Sequence, residues 1–234
     1  MLNDVVERSG VIKKISVVTS DDALTELLTL LLQSWKFEIV SQDCAETLLL
    51  AEKGSIEPAA GQDVIWLAAG ETSTDNSLGL PLEVESLWRI LEFRFHDPPR
   101  MHIRLALDLS AQVTIRGETS EAVLTSLSEM GCRFYYDKEL VRDETVTLTL
   151  QAGNETLKIG SQVIYSIPQS ATSTGEVNAG LVFHGIDRTT RGRIRTYLIY
   201  TYLKEVGSVM AEERFVDTLD FLVLPESIRK KLAG

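Results

Sequence analysis

Two arginines four residues apart, Arg100 and Arg104, stand directly behind Pro98-Pro99. A guanidinium is a planar fork of donors that pairs bidentately with phosphate or with the acceptor edge of a purine, and it also stacks on flat rings. From position 104 to position 126 is 22 residues, and there begins Ser126-Leu127-Ser128-Glu129-Met130-Gly131, an SxSxxG element. Hydroxyls and a glycine turn on one side and two guanidinium groups on the other can close on a ligand from both directions. Nothing resembles a catalytic constellation: there is no GxSxG, P-loop, HExxH or paired Cys and His at a familiar spacing. His96, His102 and His184 are scattered and read as structural. Cys44 and Cys132 are isolated, which points to a reducing compartment and to no structural metal.

The elements that must hold these residues are strands. Leu105, Leu107, Leu109, Ala111, Val113 and Ile115 alternate with mostly polar or small residues, the period of a strand with one buried face. Ala122 to Leu127 leads into the SxSxxG turn and Cys132 to Tyr136 leaves it. Thr145 to Leu150 and Leu157 to Ile167 flank Gly153-Asn154, a hairpin signal. A Ser/Thr-rich loop from Gln169 to Val177 precedes a last strand, Ala179 to Ile186. Six short strands at this spacing predict a small barrel. A helix from about Thr189 to Val206, with Ile194, Tyr197, Leu198, Thr201 and Tyr202 on one face, is expected to close one mouth. Arg188, Arg191, Arg193 and Arg195 at its start read as a solvated face.

RxxxR, a strand and then SxSxxG, inside an all-strand region ending in a helix, resembles the PilZ family of bacterial receptors for cyclic di-GMP. The likeness covers roughly residues 98–206. It implies a six-stranded antiparallel PilZ barrel closed by a C-terminal helix. It also implies a cyclic di-GMP site made of Arg100, Arg104, Ser126, Ser128 and Gly131. In the family the first residue of the second motif, an Asp or Asn, and the serine after it bond guanine, and the glycine permits the tight turn. Ser126 departs from that pattern. A hydroxyl satisfies at most one of the two guanine donors that a carboxylate takes together. Losing a charged acceptor costs about 1.5–3 kcal/mol, so the resemblance implies weakened binding.

Residues 1–97 read as a separate α/β unit. VIKKISVV (11–18) is a strand, and Ser20 is placed to cap a helix carrying Leu24, Leu27, Leu28, Leu31 and Leu32. Phe37–Val40 is a second strand, Ala45–Lys53 a short helix and Asp63–Leu67 a third strand. A polar loop, Gly70 to Gly79, then leads into a helix from Leu82 to Phe95. This order predicts a parallel sheet in a three-layer arrangement. It resembles the first half of a response-regulator receiver domain, truncated and degenerate. The acidic pair of that family falls at Thr19 and Ser20 and the phosphoacceptor at Ala68, so no acyl phosphate and no Mg²⁺ site are expected. Asp21, Asp22 and Asp63 read as caps and solvated strand-end charges. His96-Asp97-Pro98-Pro99 marks the boundary.

The expected architecture is therefore α+β and multidomain: a receiver-like unit (1–97), a barrel (98–206) and a helical tail (207–234). In the tail, Phe215, Leu219, Leu222 and Val223 suggest a helix packed on its own barrel or offered to a partner. Residues 1–99 carry 17 acidic and 7 basic side chains, and residues 100–234 carry 17 and 16. An acidic first half repels polyanions, so DNA and RNA are not expected partners. No apolar run approaches the roughly 20 residues of a membrane span, and the first ten residues are unlike a signal peptide, so a cytoplasmic location is expected. Together these readings describe a non-enzymatic cyclic di-GMP receptor-adaptor with no cofactor. It would signal by domain rearrangement or through a protein partner, with homo-oligomer formation left open. The alternative is a PilZ-like interaction module that no longer takes nucleotide.

Overall fold

The structure, a computed structural model, describes residues 13–42, 44, 47–70, 74–153, 155–168 and 177–234. The chain forms two compact units, one of Met1–Pro99 with Tyr202–Gly234 and the other of Arg100–Thr201.

In the first unit, β1 (Lys14–Val18) is followed by α1 (Asp22–Ser34) and a two-residue β2 (Glu38–Ile39). The five leucines expected on one face of α1 are all buried. Asp21, not Ser20, caps the helix. Its backbone is extended and its carboxylate accepts from the N–H groups of Ala23, at 2.8 Å, and Leu24, at 3.0 Å. Ser20 is engaged elsewhere: its N–H, at 2.8 Å, and its hydroxyl both donate to the Glu52 carboxylate.

The helix expected over Ala45–Lys53 is corrected. Residues 45 and 46 lie outside the described residues, and Leu48–Glu52 is a strand, β3, with Leu48 to Ala51 all buried. β3 sits between β1 and β4 (Val64–Ala69), covered on both faces. A strand in that position loses its alternation, and a short continuous apolar run has no period to separate it from a buried helix. The polar loop expected over Gly70–Gly79 also ends in a strand, β5 (Ser77–Leu80), which pairs only with β4; residues 71–73 lie outside the described residues. The sheet order is β2-β1-β3-β4-β5 and every pair is parallel. This parallel sheet is what supports the receiver likeness. The strand beside β1 ends at Glu52, so the third strand in the chain is not the one that leads to Ala68. Asp63, read as a solvated charge, pairs with Arg94 at 2.7 Å.

α2 (Val84–Phe95) buries Leu87, Trp88, Ile90 and Leu91, and the Trp88 ring meets Trp35 edge-on at 5.1 Å. The C-terminal residues belong to this unit as well. Beyond α3 (Arg188–Gly207) come α4 (Glu212–Thr218), a 3-10 turn over Leu219–Phe221, and α5 (Glu226–Ala233). Phe215, Leu219 and Leu222 are buried, Arg214 pairs with Glu26 of α1 at 3.0 Å, and Leu82 N–H donates to Phe221 at 2.7 Å. The buried side chains of the tail thus pack within the first unit and not on the barrel. Val223, expected with the buried set, is exposed, and its N–H donates to Leu82.

The second unit is a closed antiparallel barrel in the order β10-β11-β8-β7-β6-β9. Its strands are β6 (Arg104–Ile115), β7 (Glu118–Ser128), β8 (Gly131–Tyr136), β9 (Thr145–Ala152), β10 (Glu155–Pro168) and β11 (Val177–Phe183). β6 and β7 join through Arg116-Gly117, both at positive φ, as a two-residue hairpin requires. β9 and β10 join at Gly153; Asn154 and the Ser/Thr-rich stretch 169–176 lie outside the described residues. Val113, Leu124, Phe134, Val146, Leu148 and Val163 are wholly buried in the interior. The alternation expected through Leu107 and Leu109 breaks there: the β6–β7 register shifts between Ala106 and Leu109, and both leucines are only half-buried. Helix α3 begins in this unit, with Ile194 and Leu198 buried.

Incubation of the protein with acetyl phosphate and Mg²⁺, followed by intact-mass measurement, should give no stable phosphoryl adduct on the first unit. The Glu52 carboxylate is taken by Ser20, and Asp21 is committed to the helix cap. Among the described residues no cluster of three His, Cys, Asp or Glu side chains could hold the metal. A stoichiometric acid-labile adduct would overturn this.

Candidate ligand-binding site

The barrel register brings four of the five sequence-derived residues onto neighbouring strand positions. Arg104 on β6 is opposite Ser128 on β7, and Ser128 is opposite Gly131 on β8. One row along, Ala106 is opposite Ser126 and Ser126 is opposite Arg133. Leu105, Leu127, Cys132 and Phe134 are buried in the barrel, so by alternation Arg104, Ser126, Ser128, Gly131 and Arg133 belong to the outer face. Bulges in β6 and in β7, between Leu124 and Ser126, sit beside these rows. Bulges of this kind re-aim side chains at functional edges. Arg100 is exposed, ahead of the first strand.

The two serines differ. The Ser128 hydroxyl donates to the Gly131 carbonyl at 3.0 Å, so its proton is spent locally. Ser126 is 7% exposed and its hydroxyl has no partner. A buried hydroxyl without a partner costs about 1–3 kcal/mol, and here it adjoins Arg133, whose Nε is also buried and unpartnered. Gly131 is needed for a reason other than a tight turn, because its φ is not positive. A Cβ there would stand 2.2 Å from the Leu181 carbonyl oxygen of β11.

Guanidinium groups gather on this face. Burial, and then the neighbouring Arg133 and Arg100, hold the Arg104 guanidinium below its ordinary pKa. Burial pushes the Tyr165 phenol of β10 upward, against the pull of Arg133 and Arg104 beside it. Like charges placed together out of water favour a ligand that brings negative charge. Behind them, inside the barrel, burial pushes the Cys132 thiol up to about 12.

One carboxylate ties the two motifs together. Glu129, inside SxSxxG, is 3% exposed. It accepts from Arg195 of α3 at 2.7 Å and forms a close pair with Nδ1 of His102, which lies inside RxxxR. His102 therefore links the motifs, and Arg195, read from sequence as part of a solvated face, is committed to Glu129. Arg193, from the same cluster, pairs with Glu155 at 3.2 Å.

Sequence reasoning missed Arg133, Tyr165 and Glu129. Arg133 was within reach: it is two positions beyond Gly131 on a strand and so on the same face. Tyr165 was not, because it joins this face only through the β10–β11–β8 pairing.

Residues 98–200 match the family model of the PilZ domain. This part of the chain is a PilZ domain. Three solved structures are similar to this region. The PilZ domain of YcgR from Escherichia coli, with c-di-GMP, is 15% identical, with 47% of this chain and 98% of that one covered and a TM-score of 0.39. The K. pneumonia MrkH–c-di-GMP complex is 19% identical over 45% of this chain and 53% of that one, with a TM-score of 0.39. The Bacillus subtilis inhibitor of motility MotI/DgrA is 14% identical over 45% of this chain and 52% of that one, with a TM-score of 0.40. The alignment thus spans about half the length of the MrkH and MotI chains. No curated protein matches the sequence. No described helix is long and apolar enough to cross a membrane.

Gly131→Ala should destabilise the protein by about 1–3 kcal/mol, since the obstruction is backbone and has no side chain to swing away; denaturant unfolding measures it. Cys132 sets a pH dependence. Its folded pKa is raised from 9.0 to about 12, so the unfolded chain loses the proton first and stability falls as pH rises from about 9. Unfolding midpoints of wild type and Cys132→Ala, measured across that range, should converge as pH rises; parallel curves would remove the thiol from the account.

Proposed function

We propose that the protein is a cyclic di-GMP receptor whose site comprises Arg100, Arg104, Ser126, Ser128 and Gly131. The observation that carries the reading is the row Arg104–Ser128–Gly131, which unites RxxxR and SxSxxG on one outer barrel face beside a concentration of guanidinium groups. The ligand carries two phosphates and two guanines. Arginine forks suit both the phosphate oxygens and the O6/N7 edge of guanine. Arg104 is already partly desolvated, so a phosphate there meets a weakly screened cation and also relieves its repulsion with Arg133 and Arg100. Ser126 supplies an unspent hydroxyl, and Ser128 keeps its lone pairs for a guanine N–H.

Signalling follows from the position of Arg100, next to Pro98-Pro99. Fixing the arginines on a ligand fixes the direction in which the linker leaves the site. A ligand that prefers one linker direction shifts the population toward it. The readout is then a changed surface for a protein partner, with no chemistry performed on the nucleotide.

Calorimetric titration with cyclic di-GMP, with GTP as the control, tests the reading. Wild type should bind specifically, and Arg104→Ala should lose about 2–4 kcal/mol, the worth of a desolvated charge-assisted contact. Arg104→Lys should also weaken binding, because an ammonium keeps the charge without the fork. Ser126→Asp should tighten binding by adding an acceptor for guanine. No heat from wild type, and none from Ser126→Asp, would replace the receptor with a nucleotide-free interaction module.

A further inference from the structure

His102 stands at the centre of the RxxxR segment, two residues after Arg100 and two before Arg104. Its Nδ1 makes a close pair with Oε1 of Glu129, and Oε2 of the same carboxylate accepts from Arg195 at 2.7 Å. The carboxylate is buried and rests on fixed elements. Glu129 and Met130 form the turn between β7 and β8, and the Met130 carbonyl accepts from the Phe183 N–H of β11 at 2.9 Å. Arg195 stands on α3 beside Ile194, which is wholly buried. The RxxxR segment, by contrast, is exposed at Arg100 and Met101 and half-buried at His102, and it turns inward only at Ile103. The imidazole thus joins the arginine-bearing segment to the turn of the second motif. Charges surround it from every side. The acid is Glu129, in the turn. The cations are Arg100 and Arg104 of its own segment, with Arg133 of β8 beside Arg104, and Arg195 of α3. The carboxylate favours an imidazolium, and the guanidinium groups oppose it.

We propose that His102 is a positioning residue through which cyclic di-GMP binding takes up a proton: the imidazolium, paired with Glu129, holds the RxxxR segment for the ligand, and the ligand's phosphates in turn favour the imidazolium. This rests on the receptor reading and assigns a regulation to the same site. An imidazole changes charge between about pH 5 and 8, where guanidinium groups and phosphodiesters do not. Without ligand, the gathered guanidinium charge resists a further positive charge. Two phosphates remove that resistance. A neutral imidazole can still donate its Nδ1–H to the carboxylate, but a bond between two charged groups is roughly twice as strong. The imidazolium therefore seats the segment more firmly and also adds positive charge where the phosphates arrive. Proton and ligand strengthen each other, and by linkage the factor is the same in both directions. A site that gains a proton on binding binds more tightly as pH falls, so the receptor responds to less messenger under acid conditions.

Calorimetry with cyclic di-GMP on the full chain, repeated in buffers of different ionisation enthalpy, reads the protons taken up on binding. Thermal melts without ligand establish that each variant is folded. Wild type should take up a fraction of a proton, and its affinity should fall about 5-fold or more from about pH 6 to about pH 8. His102→Gln keeps a side-chain donor for Glu129 without a titrating group. It should bind with no proton uptake, at one affinity across that range, close to the wild-type value at the alkaline end. His184→Gln changes a barrel histidine that pairs with Gln162 instead, and should keep the wild-type uptake. Arg195→Gln removes a cation that opposes the imidazolium, so the midpoint of the pH dependence should move to higher pH. A merely structural arginine would lower affinity by the same factor at every pH. Buffer-independent heats from wild type, or undiminished uptake in His102→Gln, overturn the proposal and leave the receptor reading intact. No heat from wild type at any pH overturns the receptor reading, and this proposal with it.

Discussion

The carboxylate of Glu129 is the constraint on which this outer face of the PilZ domain depends. Taking a carboxylate out of water costs several kcal/mol unless cations and hydrogen bonds replace the solvent. Glu129 is almost fully buried, and it obtains that replacement from two distant segments, His102 ahead of β6 and Arg195 in α3. Both partners are partly exposed, so the pair is only half desolvated and the penalty falls mainly on the acid. The effect is to draw three stretches far apart in sequence to one point. The RxxxR segment is held by the residue at its centre, and within it Arg104 is the more buried arginine and Arg100 the more exposed.

A second electrostatic theme runs against stability. Burial, Arg133 and Arg100 lower the preference of Arg104 for charge, and Ser126 and Arg133 keep covered polar atoms without hydrogen-bond partners. Glu129 on this face pairs with His102 and Arg195, and Glu155 pairs with Arg193. Local destabilisation kept in this way is characteristic of binding faces, where the missing partner is supplied from outside. Gly131 and Gly180 serve the same face sterically. Each occupies a place where a single methyl group would meet a neighbouring strand's carbonyl or ring.

The barrel was largely legible because antiparallel strands with one buried face write their orientation into the sequence every second residue. Val113, Leu124, Phe134, Val146 and Leu148 follow that parity and all are buried. The parallel sheet hid β3, since Leu48 to Ala51 are covered on both sides and carry no parity to read. Ser20 and Asp21 were both plausible caps by type. The choice between them depended on Glu52, 32 residues away, which engages the serine. The motif residues could be found by spacing, and Arg133 by counting on from Gly131. The roles of His102, Arg195 and Tyr165 depend on contacts between residues from 15 to 66 positions apart, which no local pattern encodes.

Closure of the barrel has a bearing on how this domain meets other proteins. In a cycle of six strands each strand is paired with two neighbours, from β10 through β11, β8, β7 and β6 to β9 and back, over part of its length. Where a strand is paired on both sides, a peptide cannot be recruited as an additional strand, the mode that relies on main-chain amides and tolerates many sequences. Recognition must instead run through side chains standing on the outer wall or through the flanking helix. Such recognition is as sequence-specific as the residues displayed there.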